Sequence, residues 1–404
     1  MAGHRKPADG GREAEHIGGL DRERTREVFD ASKDFTIGLE EEFALVDPSS
    51  LELVQRFEEL YAACERDELL ADSAAGELIA SEIEIRSGRS EDFAAAVERQ
   101  RERRTRLFGI AEEMGIGLAA MGTHPWASYL DQRIIDTPHY QRLKQDLGYV
   151  VRRNNTWSSH VHMGIRGADR AIAICDALRA VLPTLLAVSA NSPFLDATDT
   201  GLHSVRTETF TRVFPRCGIP EPFGDWGTYA DFINLLVRTG SVVESTQLWW
   251  SVRPHHLFGT VEVRICDAQT RGDESFGLAA LISACIAQFA LDYDEGRLGE
   301  PLGGREIEEN LWRAIRFGMD GKLIDFERGV EVEAREVVEG LLEWTRPARE
   351  ELGLDPALPE LNGAQRARRA LDAGDPIESI YRQAVDETRA TYLAEPASSA
   401  RLDA

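Results

Sequence analysis

Four short segments of this sequence alternate apolar and polar residues with a period of two, and this pattern constrains the fold more than any other feature. Such alternation is typical of β-strands, because successive side chains of a strand point to opposite faces of the sheet. In each segment one face is apolar and the other carries ionisable residues. The segments span residues 35–45, 81–87, 159–164 and 260–266, and their ionisable faces carry Glu40, Glu42, Glu82, Glu84, Arg86, His160, His162, Glu262 and Arg264. The pattern predicts a sheet with one face packed on helices and another that concentrates charge.

The residue types on the polar faces favour a binding site over a solvated surface. An ordinary half-exposed antiparallel strand also alternates, so each segment alone is compatible with a sheet face in contact with water. Solvent faces favour Thr, Ser, Lys and mixed charges, however, whereas these faces carry carboxylate pairs, an imidazole pair and a Glu/Arg pair. Carboxylates gathered on one face would repel each other unless cations bind between them. Glu40, Glu42, Glu84 and Glu262 therefore suit a hard cation such as Mg²⁺, which prefers carboxylate oxygens.

The imidazole pair leaves other interpretations open. His160 and His162 point the same way on a strand, which is a spacing found in zinc enzymes, and a pair of hydrogen-bonded histidines explains it equally well. The glutamate-rich surroundings favour Mg²⁺ or Mn²⁺, with one histidine as an occasional ligand. A metal-dependent hydrolase that uses both histidines with a carboxylate base, and a non-catalytic metal-binding protein, stay open at this point.

Arginines are the candidate anion-binding residues. Guanidinium groups bind carboxylates and phosphates bidentately, so Arg206, Arg216, Arg253 and Arg264 are candidates, although surface ion pairing is the alternative for each. The sequence has no Walker A loop, no complete dinucleotide fingerprint and no Gly-x-Ser-x-Gly elbow. A bound nucleotide would therefore be held by metals and arginines.

Composition excludes several classes of partner. The chain has 46 Lys+Arg against 70 Asp+Glu, a formal net charge of −24, which argues against nucleic acids and anionic membrane surfaces. Five cysteines without a CxxC pair indicate reduced thiols, and the N-terminus has no apolar h-region, so we expect a cytoplasmic protein. The uncharged apolar stretch 276–291 is shorter than the roughly 20 residues of a membrane span, which favours a buried core helix.

The chain divides into three predicted parts. Residues 1–34 are charged and lack an apolar period, so we expect a disordered tail, with order beginning near Phe35. We expect one catalytic domain over residues 35–350 and a helical C-terminal region with a frayed end over residues 351–404. Helical periodicity recurs at about 91–114, 168–188, 274–292, 305–317, 330–345 and 375–392.

Eleven short motifs, read in order, resemble the carboxylate–amine ligases of the glutamate–cysteine ligase type 2 family. They run from about residue 35 to about residue 325, and the full set is specific where one motif would be weak. The motifs are GLEEEF at 38–43, EIRS at 84–87, GTHP at 122–125, HVH at 160–162, SPF at 192–194, DTG at 199–201, PRCG at 215–218, WW at 249–250, RP at 253–254, TVEVR at 260–264 and WRAIRFG at 312–318.

The resemblance implies a fold and a chemistry. The implied α+β fold is like that of glutamine synthetase, with a curved, mainly antiparallel sheet that forms an open active-site funnel and is backed by helices. In the implied reaction ATP phosphorylates a carboxylate, typically the γ-carboxyl of glutamate, and an amine, typically that of cysteine, attacks the acyl phosphate to form an amide. Glutamate–cysteine ligase activity is thus the first expectation, and the same mechanism on another carboxylate and amine stays open.

The resemblance also implies residue roles. Mg²⁺, or alternatively Mn²⁺, would be held by Glu40, Glu42, Glu84, His160 and Glu262. Arg264 would act with Glu262 at the transferring phosphoryl group, while Arg206 and Arg253 would contact the nucleotide or a substrate carboxylate. Two departures from the family pattern are Ser87, where threonine is frequent, and the His255–His256 pair, which bears on the substrates. The expected partners are amino acids and ATP, with no nucleic acid and no membrane, and a homo-oligomer is compatible with the sequence.

Overall fold

A seven-stranded sheet organises the computed structural model, which describes residues 19–245 and 247–393. The strands of the described chain are β1 (Ile37–Val46), β2 (Ala74–Ala75), β3 (Glu82–Arg86), β4 (Gly117–Ala119), β5 (Ser159–Gly164), β6 (Phe194–Leu195), β7 (Thr198–Asp199), β8 (Cys217–Gly218), β9 (Trp249–Trp250), β10 (Val252–His255), β11 (Thr260–Val263), β12 (Lys322–Asp325) and β13 (Val330–Glu333). The main sheet has the order β10-β11-β5-β1-β3-β2, with β4 also paired to β1, and every pairing in it is antiparallel. The four alternating segments are thus strands of one sheet, as predicted.

Helices surround this sheet. They are α1 (Arg22–Asp30), α2 (Phe57–Cys64), α3 (Phe93–Glu113), α4 (Pro138–Leu147), α5 (Ala168–Leu178), α6 (Leu182–Ser189), α7 (Val205–Val213), α8 (Trp226–Arg238), α9 (Gly272–Asp294), α10 (Gly304–Phe317), α11 (Ala334–Trp344), α12 (Arg346–Leu352), α13 (Gly363–Asp372) and α14 (Ile377–Tyr392). The periodicity over 168–188 corresponds to two helices, because Pro183 lies in the first turn of α6, where its missing N–H needs no partner.

The register of the strands aligns the ionisable residues across the sheet. Glu42 lies opposite Glu84 where β1 pairs with β3. Glu40 lies opposite His160 where β1 pairs with β5, and His162 lies opposite Glu262 where β5 pairs with β11. Because side chains alternate along each strand, these positions share one face of the sheet.

The other face of the sheet packs on helices. Val161 and Val263 belong to a cluster with the apolar residues of α5 and α9, while Phe43 and Ile83 pack with α3 and α14 in a second cluster. The predicted core helix is α9, and it is buried along most of its length. By length and composition, α9 is long and apolar enough to span a membrane, and so is the bent α5–α6 pair if its two helices are counted as one. However, 83% of the apolar window of α9 is buried inside the protein.

The prediction of a disordered tail up to residue 34 is wrong for the residues that form α1. Asp21 caps this helix by accepting hydrogen bonds from the backbone N–H groups of Glu23 and Arg24. Phe29 is fully buried, with its ring centroid 5.3 Å from that of Trp226. The sequence prediction missed this helix because contacts with distant residues anchor it: Phe29 packs on Trp226, and Arg26 pairs with Asp169. Residues 1–18 lie outside the described residues.

The C-terminal region folds against the main sheet. Tyr392 of α14 has its ring 5.3 Å from Phe43 of β1 and 5.5 Å from Phe108 of α3. The helical character predicted for this region agrees with α13 and α14, whereas the predicted frayed end over 394–404 lies outside the described residues. The division into a catalytic domain at 35–350 and a separate C-terminal region stays a prediction.

Candidate metal and phosphate site

A cavity of about 350 Å³ opens over the ionisable face of the sheet. All the predicted metal-binding residues line it, together with Arg206, Arg253 and Arg264. The carboxylates and imidazoles that line it are those of Glu40, Glu42, Glu77, Glu82, Glu84, His139, His160, His162, His255 and Glu262. The sequence prediction of a charged sheet face therefore corresponds to the wall of one cavity.

Three overlapping groups of side chains could each hold a cation. In every group one ligand atom from each residue lies within 4.8 Å of the others. The groups are Glu40, His162 and Glu262; Glu40, Glu84 and His160; and Glu42, Glu77 and Glu84. Carboxylate oxygens dominate each group, which fits Mg²⁺ or Mn²⁺ better than zinc.

Burial and mutual repulsion make the carboxylates costly to ionise without a cation. Burial raises the pKa of Glu84 well above its usual range, and the charges of Glu40 and Glu77 raise it further. Burial also raises the pKa of Glu42. For Glu40 burial acts in the same direction, but His162 and His160 outweigh it and hold the pKa well below its usual range. A cation between these residues would relieve the repulsion, which is the behaviour expected of a metal site.

Both histidines contact Glu40, and each has a second hydrogen-bond partner of its own, Ser158 for His160 and Thr260 for His162. His160 lies with Nδ1 3.1 Å from Glu40 Oε2 and Nε2 2.8 Å from Ser158 Oγ, and burial, then the charge of Arg264, lowers its pKa to about 4. His162 has Nε2 3.3 Å from Glu40 Oε1. Among the described residues no candidate ligand group contains both histidines. The two histidines therefore do not share a candidate metal site, unlike the zinc-type pair considered from sequence. Instead, His162 belongs to the group with Glu40 and Glu262, although it was not among the metal ligands predicted from the family resemblance.

Arginines hold Glu262 from two sides. Arg253 Nε lies 2.5 Å from Glu262 Oε2, and Arg264 Nη1 donates to Glu262 Oε1. Burial alone would raise the pKa of Glu262, but Arg253 and Arg264 outweigh it and keep the pKa well below its usual range. Glu262 is thus an ionised ligand candidate that guanidinium groups hold in place.

The remaining arginine candidates separate in space. Arg206 of α7 lines the cavity, and its Nη1 donates to the carbonyl oxygen of Ile265 at 2.9 Å. Arg216 is not among the cavity-lining residues, and its Nε donates to the carbonyl oxygen of Gln247 at 3.3 Å. The sequence interpretation of Arg216 as an anion-binding residue is therefore not supported by its position.

Sequence reasoning missed Glu77 as a candidate ligand. Glu77 lies between β2 and β3, outside any alternating pattern, and reaches the cavity only because the chain turns back there. Glu82 was on the predicted charged face without a proposed role, and it is almost fully buried beside the same carboxylates. Burial, then the charge of Glu42, raises the pKa of both side chains.

Apolar and aromatic residues form the rest of the cavity wall. The wall includes Leu78, Trp249 and side chains from α4 and α7. It also includes His255, which stacks on Phe258 with ring centroids 4.4 Å apart and an interplanar angle of 5°. The cavity thus combines the charged face of the sheet with apolar and aromatic side chains that suit flat or apolar groups.

Comparison with known proteins shows the family of this chain. The sequence model of "Glutamate-cysteine ligase family 2" matches residues 36–387. A protein of Rubrobacter xylanophilus with the provisional name glutamate–cysteine ligase 2-2 is 36% identical over 361 residues, which cover 89% of this chain and 93% of the relative. A protein of Sorangium cellulosum, provisionally named glutamate–cysteine ligase 2, is 39% identical over 345 residues, covering 84% of this chain and 89% of the relative.

Two solved structures share the fold. A glutamate–cysteine ligase of Francisella tularensis, in complex with AMP, aligns with a TM-score of 0.62 at 10% identity and covers 91% of each chain. A bifunctional glutathione synthetase of Pasteurella multocida aligns with a TM-score of 0.64 at 12% identity, covering 92% of this chain and 54% of that one. At such identities the likeness concerns the fold alone, and it confirms the predicted curved antiparallel sheet backed by helices.

Proposed function

The chain belongs to glutamate–cysteine ligase family 2, and we propose that it uses ATP and Mg²⁺ to join the γ-carboxyl group of L-glutamate to the amino group of L-cysteine. Membership makes the protein a carboxylate–amine ligase and implies that it uses ATP. The observation that carries the finer proposal is the set of three overlapping carboxylate-rich groups beside Arg264 in one cavity. The hydrolase and the non-catalytic binding protein considered from sequence are not retained.

The proposed reaction has two chemical steps. An oxygen of the substrate carboxylate attacks the γ-phosphorus of ATP, the bond to the bridging oxygen breaks, and ADP leaves. The amine nitrogen then attacks the acyl carbon, phosphate leaves with the electrons of the broken C–O bond, and the nitrogen loses a proton to give the amide. Such a sequence needs no nucleophile from the protein, so the protein contributes positioning and charge neutralisation.

The proposed roles of the side chains follow from their contacts. Glu40, Glu42, Glu84, His160 and Glu262 would hold Mg²⁺, joined by Glu77 and His162, and the bound ions would neutralise phosphate charge. Arg264 pairs with Glu262, and its side chain is 18% exposed towards the cavity that it lines. It is thus our candidate to neutralise the transferring phosphoryl group. Arg253 shares Glu262 and is a weaker candidate for direct substrate contact, since its Nη1 also donates to the carbonyl oxygen of Leu248 at 2.7 Å.

One of the two departures from the family pattern bears on the substrates. Ser87 is fully buried and its Oγ accepts a hydrogen bond from the backbone N–H of Leu39 at 2.8 Å, so this hydroxyl serves the strands. His255 lines the cavity, and its Nδ1 has no hydrogen-bond partner within the described chain. We therefore retain as the alternative a ligase of the same mechanism that acts on another carboxylate and amine.

The test is release of phosphate from ATP by the purified protein with Mg²⁺ and L-glutamate, with and without L-cysteine and a panel of other amines. We expect release and product amide only when both substrates are present. L-Glutamate labelled with ¹⁸O in its γ-carboxyl group should transfer one ¹⁸O to the released phosphate, because the carboxylate oxygen stays on phosphorus when the acyl bond breaks.

The panel separates the proposal from its alternative. Turnover with a different acid or amine, but not with glutamate and cysteine, would retain the mechanism and replace the substrates. Phosphate release that is independent of both substrates, with no amide formed and no ¹⁸O transferred, would contradict the ligase mechanism proposed.

A further inference from the structure

Arg206 lines the cavity with part of its hydrogen-bonding capacity unused. The residue is 5% exposed, and a guanidinium group has five N–H donors. Nη1 donates to the carbonyl oxygen of Ile265 at 2.9 Å, and Nη2 donates to that of Arg264 at 3.3 Å. Nε is buried and has no hydrogen-bond partner in the described part of the chain. The hydrogen bonds of Nη1 and Nη2 reach only three acceptors, Ile265 O, Asp267 Oδ1 and Arg264 O, so this cation at the cavity wall can still donate to an anion.

Asp267 is the carboxylate that holds this guanidinium. It is 0% exposed, and its Oδ1 lies 3.4 Å from Arg206 Nη1. Oδ1 also accepts from Ser204 Oγ at 2.9 Å, while Oδ2 accepts from Ser192 Oγ at 2.7 Å and from the backbone N–H of Asn191 at 2.8 Å. These donors fix the carboxylate in one orientation. They also fix the direction in which it can pair with Arg206.

The surroundings of Asp267 leave no room for movement. A Cβ atom on Gly122 would lie 2.7 Å from Asp267 Cγ and 2.9 Å from Ser192 Cβ, so a side chain at this position would displace the carboxylate. The Ser192 hydroxyl accepts a hydrogen bond from the backbone N–H of Arg206 at 3.2 Å, which ties the start of α7 to the same cluster. The GTHP and SPF motifs, neither of which supplies a candidate metal ligand, thus meet at Asp267.

We infer that Asp267 is a positioning residue that orients Arg206 to receive an oxyanion of a substrate, either a phosphate of ATP or a carboxylate of the amino acid. The inference rests on the proposed ligase function. Asp267 does not line the cavity, whereas Arg206 does, so its proposed effect on a substrate passes through Arg206. The carboxylates of the sheet face would hold the cations, whereas Arg206 supplies a fixed positive group in the same cavity for a substrate charge.

The experiment is a double-mutant cycle with Asp267→Asn, Arg206→Lys and both together. KM for ATP and KM for L-glutamate are measured separately, with kcat and with Mn²⁺ binding followed by electron paramagnetic resonance. We expect Arg206→Lys to raise one of the two KM values about 100-fold and Asp267→Asn to raise the same value about tenfold. The double variant should match Arg206→Lys, because Asp267 has no effect without the guanidinium. Mn²⁺ affinity should stay unchanged.

The outcomes distinguish the sources of the oxyanion and the possible failures. A change in KM for ATP assigns a phosphate to Arg206, and a change in KM for L-glutamate assigns a carboxylate. Effects of the two substitutions that multiply in the double variant would overturn the positioning role, as would unchanged KM values in folded Asp267→Asn. If the wild-type protein showed no ligase turnover at all, that result would instead contradict the proposed function.

Two further variants guard against a trivial loss of folding. Asp176→Asn is the matched control, since Asp176 is also a buried aspartate and accepts from the backbone N–H groups of Phe223 and Gly224 at 2.7 and 2.9 Å. It should lower stability without changing either KM. If Asp267→Asn does not fold, Ser192→Ala removes one donor to Asp267 and should raise the same KM about threefold; an unchanged KM there would also overturn the inference.

Discussion

Three consecutive glutamates on β1 occupy two opposite environments. Glu40 and Glu42 face the cavity, where their neighbours are other carboxylates and two histidines. Glu41 points to the other side of the sheet, where Arg104 binds it with two nitrogens and Ser275 Oγ and Gln100 Nε2 donate to it as well. The same residue type therefore serves two purposes, and the partners on each face decide which one.

The Glu41–Arg104 pair, which we call the rear pair because it lies on the sheet face away from the cavity, needs no ligand to neutralise its charges. The Arg104 guanidinium lies 3.7 Å from the ring centroid of Phe276 and 4.5 Å from that of Tyr392, so two aromatic rings cover it. On the cavity face, by contrast, burial and the charges of neighbouring carboxylates raise the pKa of Glu77 and of Glu84. A carboxylate that the protein neutralises away from any cavity is structural, whereas carboxylates that crowd one another at a cavity form a candidate cation site.

Removing a carboxylate from the cavity face should have the largest effect, and it should act on turnover. Glu84 belongs to two of the three candidate ligand groups, so Glu84→Gln should lower kcat about 1,000-fold while the protein stays folded. Glu262→Gln should also lower kcat, and it should lower stability as well, because Arg253 and Arg264 lose their carboxylate partner. Steady-state amide formation and thermal melting followed by circular dichroism measure the two effects, and near-normal rates at limiting Mg²⁺ would contradict the assignment.

Breaking the rear pair should act on stability. Arg104→Met leaves the Glu41 carboxylate buried without its cation, which should lower the free energy of unfolding by about 3–5 kcal/mol. Glu41→Leu combined with Arg104→Met should recover most of that loss, because apolar side chains tolerate burial. Urea unfolding measures both variants. The exposed Arg133–Glu58 pair is the control, and Arg133→Met should have a much smaller effect. If Arg104→Met alone were as stable as the wild type, the rear pair would not be structural, and the proposed difference between the two faces of the sheet would be contradicted.

Metal binding should stabilise the protein through the cavity face alone. Mg²⁺ at about 100 times its Kd should raise the free energy of unfolding by about 2.7 kcal/mol, since a ligand that binds only the folded state shifts the equilibrium by mass action. Treatment with EDTA should reverse the shift. Glu84→Gln should lose it, and Arg104→Met should retain it on a lower baseline. Equal responses in both variants would place the metal elsewhere.

His124, which does not line the cavity, should make the stability of the protein depend on pH without any role in metal binding. His124 Nδ1 accepts from the backbone N–H of Ala127 at 3.0 Å and Nε2 donates to the carbonyl oxygen of Leu51 at 2.8 Å, so the neutral ring is fully bonded. Burial lowers its pKa to about 4. The folded-state pKa is below the unfolded value, so this stabilisation is complete above about pH 6.5 and is lost as pH falls towards 4.

The pH effect is measured against a variant that does not titrate. Between pH 7.5 and 5.0 the wild type should lose about 2 kcal/mol more than His124→Asn, whose amide oxygen can replace Nδ1 as acceptor. Urea unfolding at the two pH values gives the difference. Parallel losses in both proteins would show that His124 does not carry this pH dependence.

The strands and their faces could be predicted because the signal is local. A period of two fixes which side chains share a face, so Glu40 and Glu42 could be assigned together from a few neighbouring residues. The family resemblance then implied that Glu84 and His160 share their cation, and the register of β1 with β3 and β5 brings these residues together. Residue 41 broke the apolar pattern without a visible reason, because Arg104 is 63 positions away in the sequence.

The sequence by itself therefore determined the family, the strand faces and most of the candidate metal ligands. Only the tertiary structure decided that Glu77 and His162 join those ligands, that Arg216 does not reach the cavity, and that Asp267 holds Arg206. Local periodicity reports which way a side chain points relative to its neighbours in the chain. Which distant side chains it meets depends on how strands pair and loops turn, and packing of the whole chain sets those contacts.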